Sequence, residues 1–180
     1  QSSQRLPYVD ADNRAGAREA TELLLASGRT RVATITGPLD MNVAADRFDG
    51  YRDALPAGGA ELVEGGDFTV AGAERAMQAL LARVPDLDAV FVASDPMAVG
   101  ALHALRAAGR RVPDDVAVVG FDDIGLASLI QPQLTTVRQD MHALGEAAAS
   151  GLARMIDDPE AAPARELVPT RLVVRASSGG

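Results

Sequence analysis

Short runs rich in Val, Ile and Ala alternate along this chain with longer stretches in which apolar residues recur every three to four positions. The first pattern reads as strands buried on both faces, the second as helices with one apolar side. Arg31–Thr36, Ala60–Glu64, Ala89–Ala93 and Val116–Phe121 are the strand candidates. Between them, Val43–Leu55 carries Val43, Arg47, Gly50, Tyr51 and Leu55 near one stripe. Val70–Val84 turns Ala73, Met77, Leu80 and Leu81 inward. Pro96–Ala108 opens on Pro and is followed by Gly109, as helices commonly are. Asn13–Ser27 precedes the first of these strands as a helix closed by Gly28. Strand–helix alternation of this kind predicts a doubly wound parallel sheet flanked by helices, an α/β fold with right-handed crossovers.

After Phe121 the pattern loosens. Asp123–Leu134 reads as loop with one helical turn, Met141–Asp157 as an Ala-rich helix, and Leu167–Val174 as terminal extended chain broken by Pro169. Asp157–Ala164 reads as an exposed loop. The sequence shows no internal repeat and no low-complexity linker.

Composition narrows the function classes. The chain has 180 residues, 47% hydrophobic and 23% charged, which suits one domain or an unequal pair of lobes and is too apolar for disorder. Its formal net charge of −8 argues against these residues gripping nucleic acid or an anionic membrane, which need a basic face. Cysteine is absent, so disulfides, thiolate catalysis and Cys metal sites are excluded. The two His residues, His103 and His142, have no ligand spacing around them, and no metal or cofactor is expected. No apolar run reaches the ~20 residues of a membrane span, and no signal peptide is expected at the start of the chain.

In an open parallel sheet, ligands bind beyond the carboxyl ends of the strands. That rule gathers four groups on one rim: Gly37–Asp40 with Arg47, Asp67 with Phe68, Ser94 with Asp95, and Asp122 with Asp123. A guanidinium, carboxylates, a hydroxyl and a ring suit a neutral polyhydroxylated ligand. A structural reading stands beside each. Arg47 also fits a surface ion pair, and Phe68 a core ring. Ser94 fits a turn, Asp95 the N-cap of the helix that follows, and Asp122–Asp123 a loop with its cap. Enzyme signatures are missing: there is no G-x-S-x-G elbow, Walker loop, G-x-G-x-x-G or H-E-x-x-H. An acidic pair able to hold Mg²⁺ lacks the Lys that receiver-type sites use, since all 17 basic residues are Arg.

The order and spacing of five strings carry a family resemblance. They are VDADNRAGAREATELLLASG, RVATITGP, ADRFDGYRDAL, FVASDPMAVGALHALRAAGRRVPDDVAVVGFDD and LTTVRQDMHALGEAAA. Together they resemble the effector-binding and dimerisation core of LacI/GalR-type bacterial transcription regulators, from about Leu6 to Val174. The resemblance implies the type I periplasmic-binding-protein-like fold: two α/β lobes, three crossings and effector in the cleft. It implies residues 1–12 as the end of the N-terminal lobe and first crossing, and 13–137 as the C-terminal effector-binding lobe. Residues 138–160 would supply a helix of the N-terminal lobe, with Leu134–Gln139 as the second crossing. Residues 161–180 would form the return crossing and terminal strand. Most of the N-terminal lobe and the helix-turn-helix are expected outside these residues, and Met141–Asp157 is expected to pack loosely without that lobe.

By position, the resemblance implies that Arg47 and Asp122 face each other across the cleft and bind sugar hydroxyls. It places Ser94 where many members carry Asn, Phe68 as a stacking ring, and Gln139 and Met141 beside the cleft. Val99, Leu102, His103, Leu129 and Ile130 would form a homodimer interface. The implied function is control of operator binding by a small, carbohydrate-like effector. The expected protein is cytoplasmic, has no enzymatic activity, and reaches operator DNA only through an N-terminal domain. A sugar-binding protein of a transporter is the alternative.

Overall fold

The computed structural model describes residues 8–158 and 165–180. Among the described residues, five α-helices and eight strands follow one another as β1 (Tyr8–Ala11), α1 (Asn13–Ala26), β2 (Val32–Thr36), α2 (Asn42–Ala54), β3 (Leu62–Gly65), α3 (Val70–Arg83), β4 (Ala89–Val92), α4 (Asp95–Ala107), β5 (Ala117–Asp122), β6 (Thr135–Arg138), α5 (Met141–Asp157), β7 (Arg165–Val168) and β8 (Arg171–Val173). A 3₁₀ turn at Gly125–Ser128 supplies the helical turn expected between β5 and β6, and a second spans Ala176–Ser178.

Six strands form one sheet in the order β3-β2-β4-β5-β6-β8. All neighbours run parallel except β6 and β8. The doubly wound parallel sheet predicted above is present, and β8 adds an antiparallel edge to it: the chain comes back along β6 after Pro169. The expected terminal extended run therefore splits. β7 pairs with β1 in a separate two-stranded parallel sheet, and β8 joins the main one.

Strand alternation divides the core into two layers. Ala33, Ile35, Val90, Val92 and Val118 face α3 and α4, where Met77, Leu80, Met97 and Leu105 are fully covered. Val32, Phe91, Val119, Phe121 and Val137 face the opposite way, against Ala17 and Leu24 of α1 and Tyr51 of α2. Tyr51 is wholly buried and satisfies its hydroxyl by donating to the Val32 carbonyl at 3.0 Å and accepting from the Leu62 amide at 3.2 Å.

Helix α5 packs on β1 and β7, away from the main sheet. Only Gly151 of this helix is buried, while Met141, Leu152 and Ile156 are exposed. Most of the loop expected at 157–164, the start of the return crossing and residues 1–7 lie outside the described residues.

The chain reverses its winding between β2 and β4. The β2–α2–β3 unit steps to one side, and β4–α4–β5 to the other. This switch point opens a crevice at the carboxyl ends of β2 and β4, where open α/β sheets bind ligands.

Candidate functional site

Arg47 sits one turn into α2 and turns its guanidinium into that crevice, where it is buried. It donates from Nε to Asn13 Oδ1 (2.8 Å), and from one terminal nitrogen to the Ala93 carbonyl (2.6 Å) and Asp122 Oδ1 (3.1 Å). Its Cζ lies over the Phe121 ring, 3.7 Å from the centroid, adding a cation–π contact. Gln139 donates to the same Asp122 oxygen at 2.7 Å, and the Asp95 backbone at the start of α4 favours the charged form of the same carboxylate. Burial pushes the Arg47 guanidinium below its usual value, and Asp122 pulls it back up. Burial also raises Asp122, against the opposing pull of Arg47 and Gln139. Each charge thus offsets part of the cost of burying the other.

Arg47 and Asp122 were expected to face each other across a pocket. Instead they touch, as two members of one wall. A pre-paired guanidinium and carboxylate present donors and acceptors with fixed geometry, and vicinal hydroxyls can bond both without a new charge being desolvated. The side chain of Asp122 keeps 22% of its surface accessible, against 4% for Arg47, so the carboxylate is the more exposed partner.

Asn13, which sequence reasoning placed only at a helix start, belongs to this cluster. It is 2% exposed and completes its hydrogen bonds by donating to Asp10 Oδ1 and the Ala11 carbonyl. The rule that selected Asp122 would have selected it too, since Asn13 lies just past the carboxyl end of β1.

Ser94 is buried beside the cluster, but its hydroxyl accepts the Met97 amide as the N-cap of α4. The cap was assigned to Asp95 from the sequence, and that assignment is corrected. Asp95 is the first residue of the helix and is fully buried. Its carboxyl accepts from Thr136 Oγ1 (2.6 Å) and the Ile124 amide (2.9 Å), which come from β6 and the loop after β5. Burial raises it to about 7, although both hydrogen bonds act in the other direction. Gly120 makes room for it, since a Cβ there would crowd Asp95 Oδ1.

Phe68 is half-buried against the core, and its ring lies over Gly37, which leaves no room for a Cβ at that position. Met141 is 71% exposed at the start of α5, so the structure does not bring it into the polar cluster. Among the described non-Gly residues, only Phe68, Asp122 and Asp123 have positive φ, at 59°, 112° and 54°. All three lie at or just beyond strand carboxyl ends. Such residues cost about 1–3 kcal/mol each and persist where the surroundings over-determine them. For Asp123 those surroundings are two guanidinium groups, from Arg138 and Arg175.

The residues proposed as a dimer interface gather at the far end of α4. Val99, Leu102, His103, Ile130 and Pro132 line a groove of about 460 Å³, and Leu129, directly before Ile130 in sequence, is 78% exposed. Among the described residues, no cluster of His, Cys, Asp or Glu is arranged to hold a metal ion, and no helix is long and apolar enough to cross a membrane.

Comparison with known proteins places this geometry. The family described as a periplasmic binding protein-like domain matches residues 21–178. The transcriptional regulator CelR of Thermobifida fusca is 47% identical over 178 residues, which is 97% of this chain and 52% of that protein. The ribose operon repressor of Halalkalibacterium halodurans is 37% identical, covering 99% of this chain and 54% of the repressor. Among solved structures, a CelR–cellobiose complex superposes with a TM-score of 0.91 at 47% identity, covering 97% of this chain and 54% of that one. The lac repressor dimer bound to operator and an anti-inducer superposes at 0.88 and 30% identity, covering 98% and 54%. The chain spans about half the length of the curated relatives it matches. These residues belong to the periplasmic binding protein-like domain family, in the form carried by LacI-type transcription regulators.

Proposed function

We propose that this chain is the effector-sensing and dimerisation part of a DNA-binding transcription regulator. A small carbohydrate bound between two lobes would control operator binding. The observation that carries this reading is the Asn13–Arg47–Asp122–Gln139 cluster at the sheet's switch point. Fixed donors and acceptors in alternation match the hydroxyls of a sugar, and nothing in the set is arranged for bond breaking. On this reading the protein is not an enzyme and works in the cytoplasm. Residues 13–137 form the C-terminal lobe, and β1, α5 and β7 belong to the first lobe, in keeping with their separate sheet. With a formal net charge of −8, operator contacts fall to a basic N-terminal module outside these residues. The similarity to CelR and to ribose repressors favours this reading over a transporter's solute-binding protein, and the CelR complex makes cellobiose the first effector to test.

The test is calorimetric titration of the full-length protein with cellobiose and with ribose, beside Arg47→Ala and Asp122→Asn. One sugar should bind the wild type. Each substitution should weaken it by roughly 10- to 150-fold, as expected when a charge-assisted hydrogen bond worth ~1.5–3 kcal/mol is lost. Undiminished binding by both variants would show that the cluster is structural.

A further inference from the structure

We propose that Asp95 is a positioning residue for effector binding: by taking the Ile124 amide and the Thr136 hydroxyl, it locks the turn that aims the Asp122 carboxylate. The inference rests on reading the Arg47–Asp122 cluster as the effector site.

Three consecutive residues of that turn are held from different directions. Asp122 is held by Arg47 and Gln139. Asp123 is held by Arg138 and Arg175. Ile124 is held through its amide by Asp95 Oδ2 at 2.9 Å and through its carbonyl, which accepts the Ala127 amide at 2.9 Å, while its side chain is 42% exposed and anchors little. Asp122 and Asp123 both have positive φ, so the turn has no intrinsic preference for this shape and keeps it through its restraints. Asp95 acts on the far end of the turn, its carboxyl taking the Ile124 amide two residues beyond Asp122. The other carboxyl oxygen reaches β6 through Thr136, three residues before Gln139. One buried side chain thus ties α4, the turn and β6 together behind the two groups that share Asp122 Oδ1. Asp95 itself is fully covered and does not touch effector.

The chemistry predicts which substitutions are tolerated. Asn keeps the shape, accepting the Ile124 amide on Oδ1 and donating from Nδ2 to Thr136 Oγ1, because a hydroxyl accepts as well as donates. Ala keeps neither bond. Thr136→Val removes one bond and preserves shape.

The experiment measures two quantities in the full-length protein for wild type, Asp95→Ala, Asp95→Asn and Thr136→Val. These are cellobiose affinity by calorimetry and exchange protection of the Ile124 amide by NMR without sugar. Asp95→Ala should weaken cellobiose about tenfold or more, a loss of the size expected for one misplaced hydrogen-bonding group. It should also speed Ile124 exchange by at least a similar factor. Asp95→Asn should restore both to within about threefold of wild type, and Thr136→Val should fall between. If Asp95→Ala binds cellobiose like wild type, or keeps its Ile124 protection, the positioning role is wrong. If Asp95→Ala does not fold, an unchanged Thr136→Val overturns the proposal. If wild type binds no cellobiose, that reading of the effector has failed, and the exchange arm alone decides: unaltered protection in Asp95→Ala overturns positioning, and lost protection upholds it.

Discussion

A buried carboxyl that titrates near neutrality leaves a trace in stability as well as in binding. Asp95 has an ordinary value of 3.8 and is raised by burial to about 7 in the folded protein. Between these values the folded chain retains a proton that the unfolded chain has released. Stability from this group is therefore fully present below about pH 4, declines as pH rises toward 7, and is lost above it. The charged groups acting on Asp95 are Asp122 and Asp123, which oppose its ionisation, and Arg47, with which it interacts favourably. Asp95→Asn removes the titration and keeps the shape. Urea unfolding of both proteins at pH 5, 6, 7 and 8 should show the variant gaining on wild type as pH rises, by an amount on the order of a few kcal/mol in total. Taking the difference between the two cancels the titrating groups that do not interact with Asp95. A difference that stays constant across the four pH values would mean that Asp95 is ionised throughout. The same residue shows a limit of sequence reading. Ser94 and Asp95 are both good N-caps, and propensity does not choose between adjacent candidates. The choice is made by Thr136 and Ile124, 41 and 29 residues away, which claim the Asp95 carboxyl and leave the cap to Ser94.

Elements were more legible than contacts. Strands β2, β4 and β5 are buried on both faces, so they appear in the sequence as runs dominated by Val, Ile, Ala and Phe, interrupted by Thr in β2 and by Gly120 in β5, and helices α1 to α4 begin and end within about two residues of the positions expected. The edge strand β8 was not legible as a strand of this sheet, because three residues beyond Pro169 carry no sign of which sheet they join. Helix spacing was not legible either, and glycine sets it on both faces of the sheet. A Cβ on Gly50 of α2 would overlap the Arg14 carbonyl oxygen of α1, and one on Gly100 of α4 would overlap the Val70 carbonyl oxygen of α3. Backbone cannot move aside as a flexible side chain can, so each helix pair would have to separate. Gly50→Ala and Gly100→Ala should each cost roughly 1–3 kcal/mol through overpacking. That corresponds to a fall of about 2–10 °C in the thermal midpoint for a domain of this size, read by circular dichroism. Unchanged midpoints would show that the helices part at no cost.

At the scale of the whole molecule, two apolar surfaces stand out. Met141, Leu152 and Ile156 of α5 fit the proposal that this helix belongs to the first lobe. The groove at the far end of α4 lies on the C-terminal lobe itself, and the sequence reached its residues only through family resemblance. Val99, Leu102 and His103 share a helix, but periodicity does not place Ile130 beside them; that needs the loop between β5 and β6 to fold back over α4. Leu102 and Ile130 pack partly against the core, so charging them would damage the fold as well as any interface. His103 is exposed and Leu129 is 78% exposed, so each should tolerate substitution with a stability change of only about 0.5 kcal/mol. If this face is the homodimer interface, an aspartate at both positions brings four like charges into one two-fold contact, because each substitution appears twice across the axis. A stable interface buries about 800 Å² per partner and does not absorb four unpaired carboxylates. Sedimentation velocity of the full-length protein should therefore show a dimer for wild type and a monomer for the His103→Asp, Leu129→Asp double variant at the same concentration. Circular dichroism should be unchanged, since the substituted side chains are not part of the core. A double variant that sediments as wild type does would place the dimer contact elsewhere, and a monomeric wild type would leave the groove without a second copy to cover it.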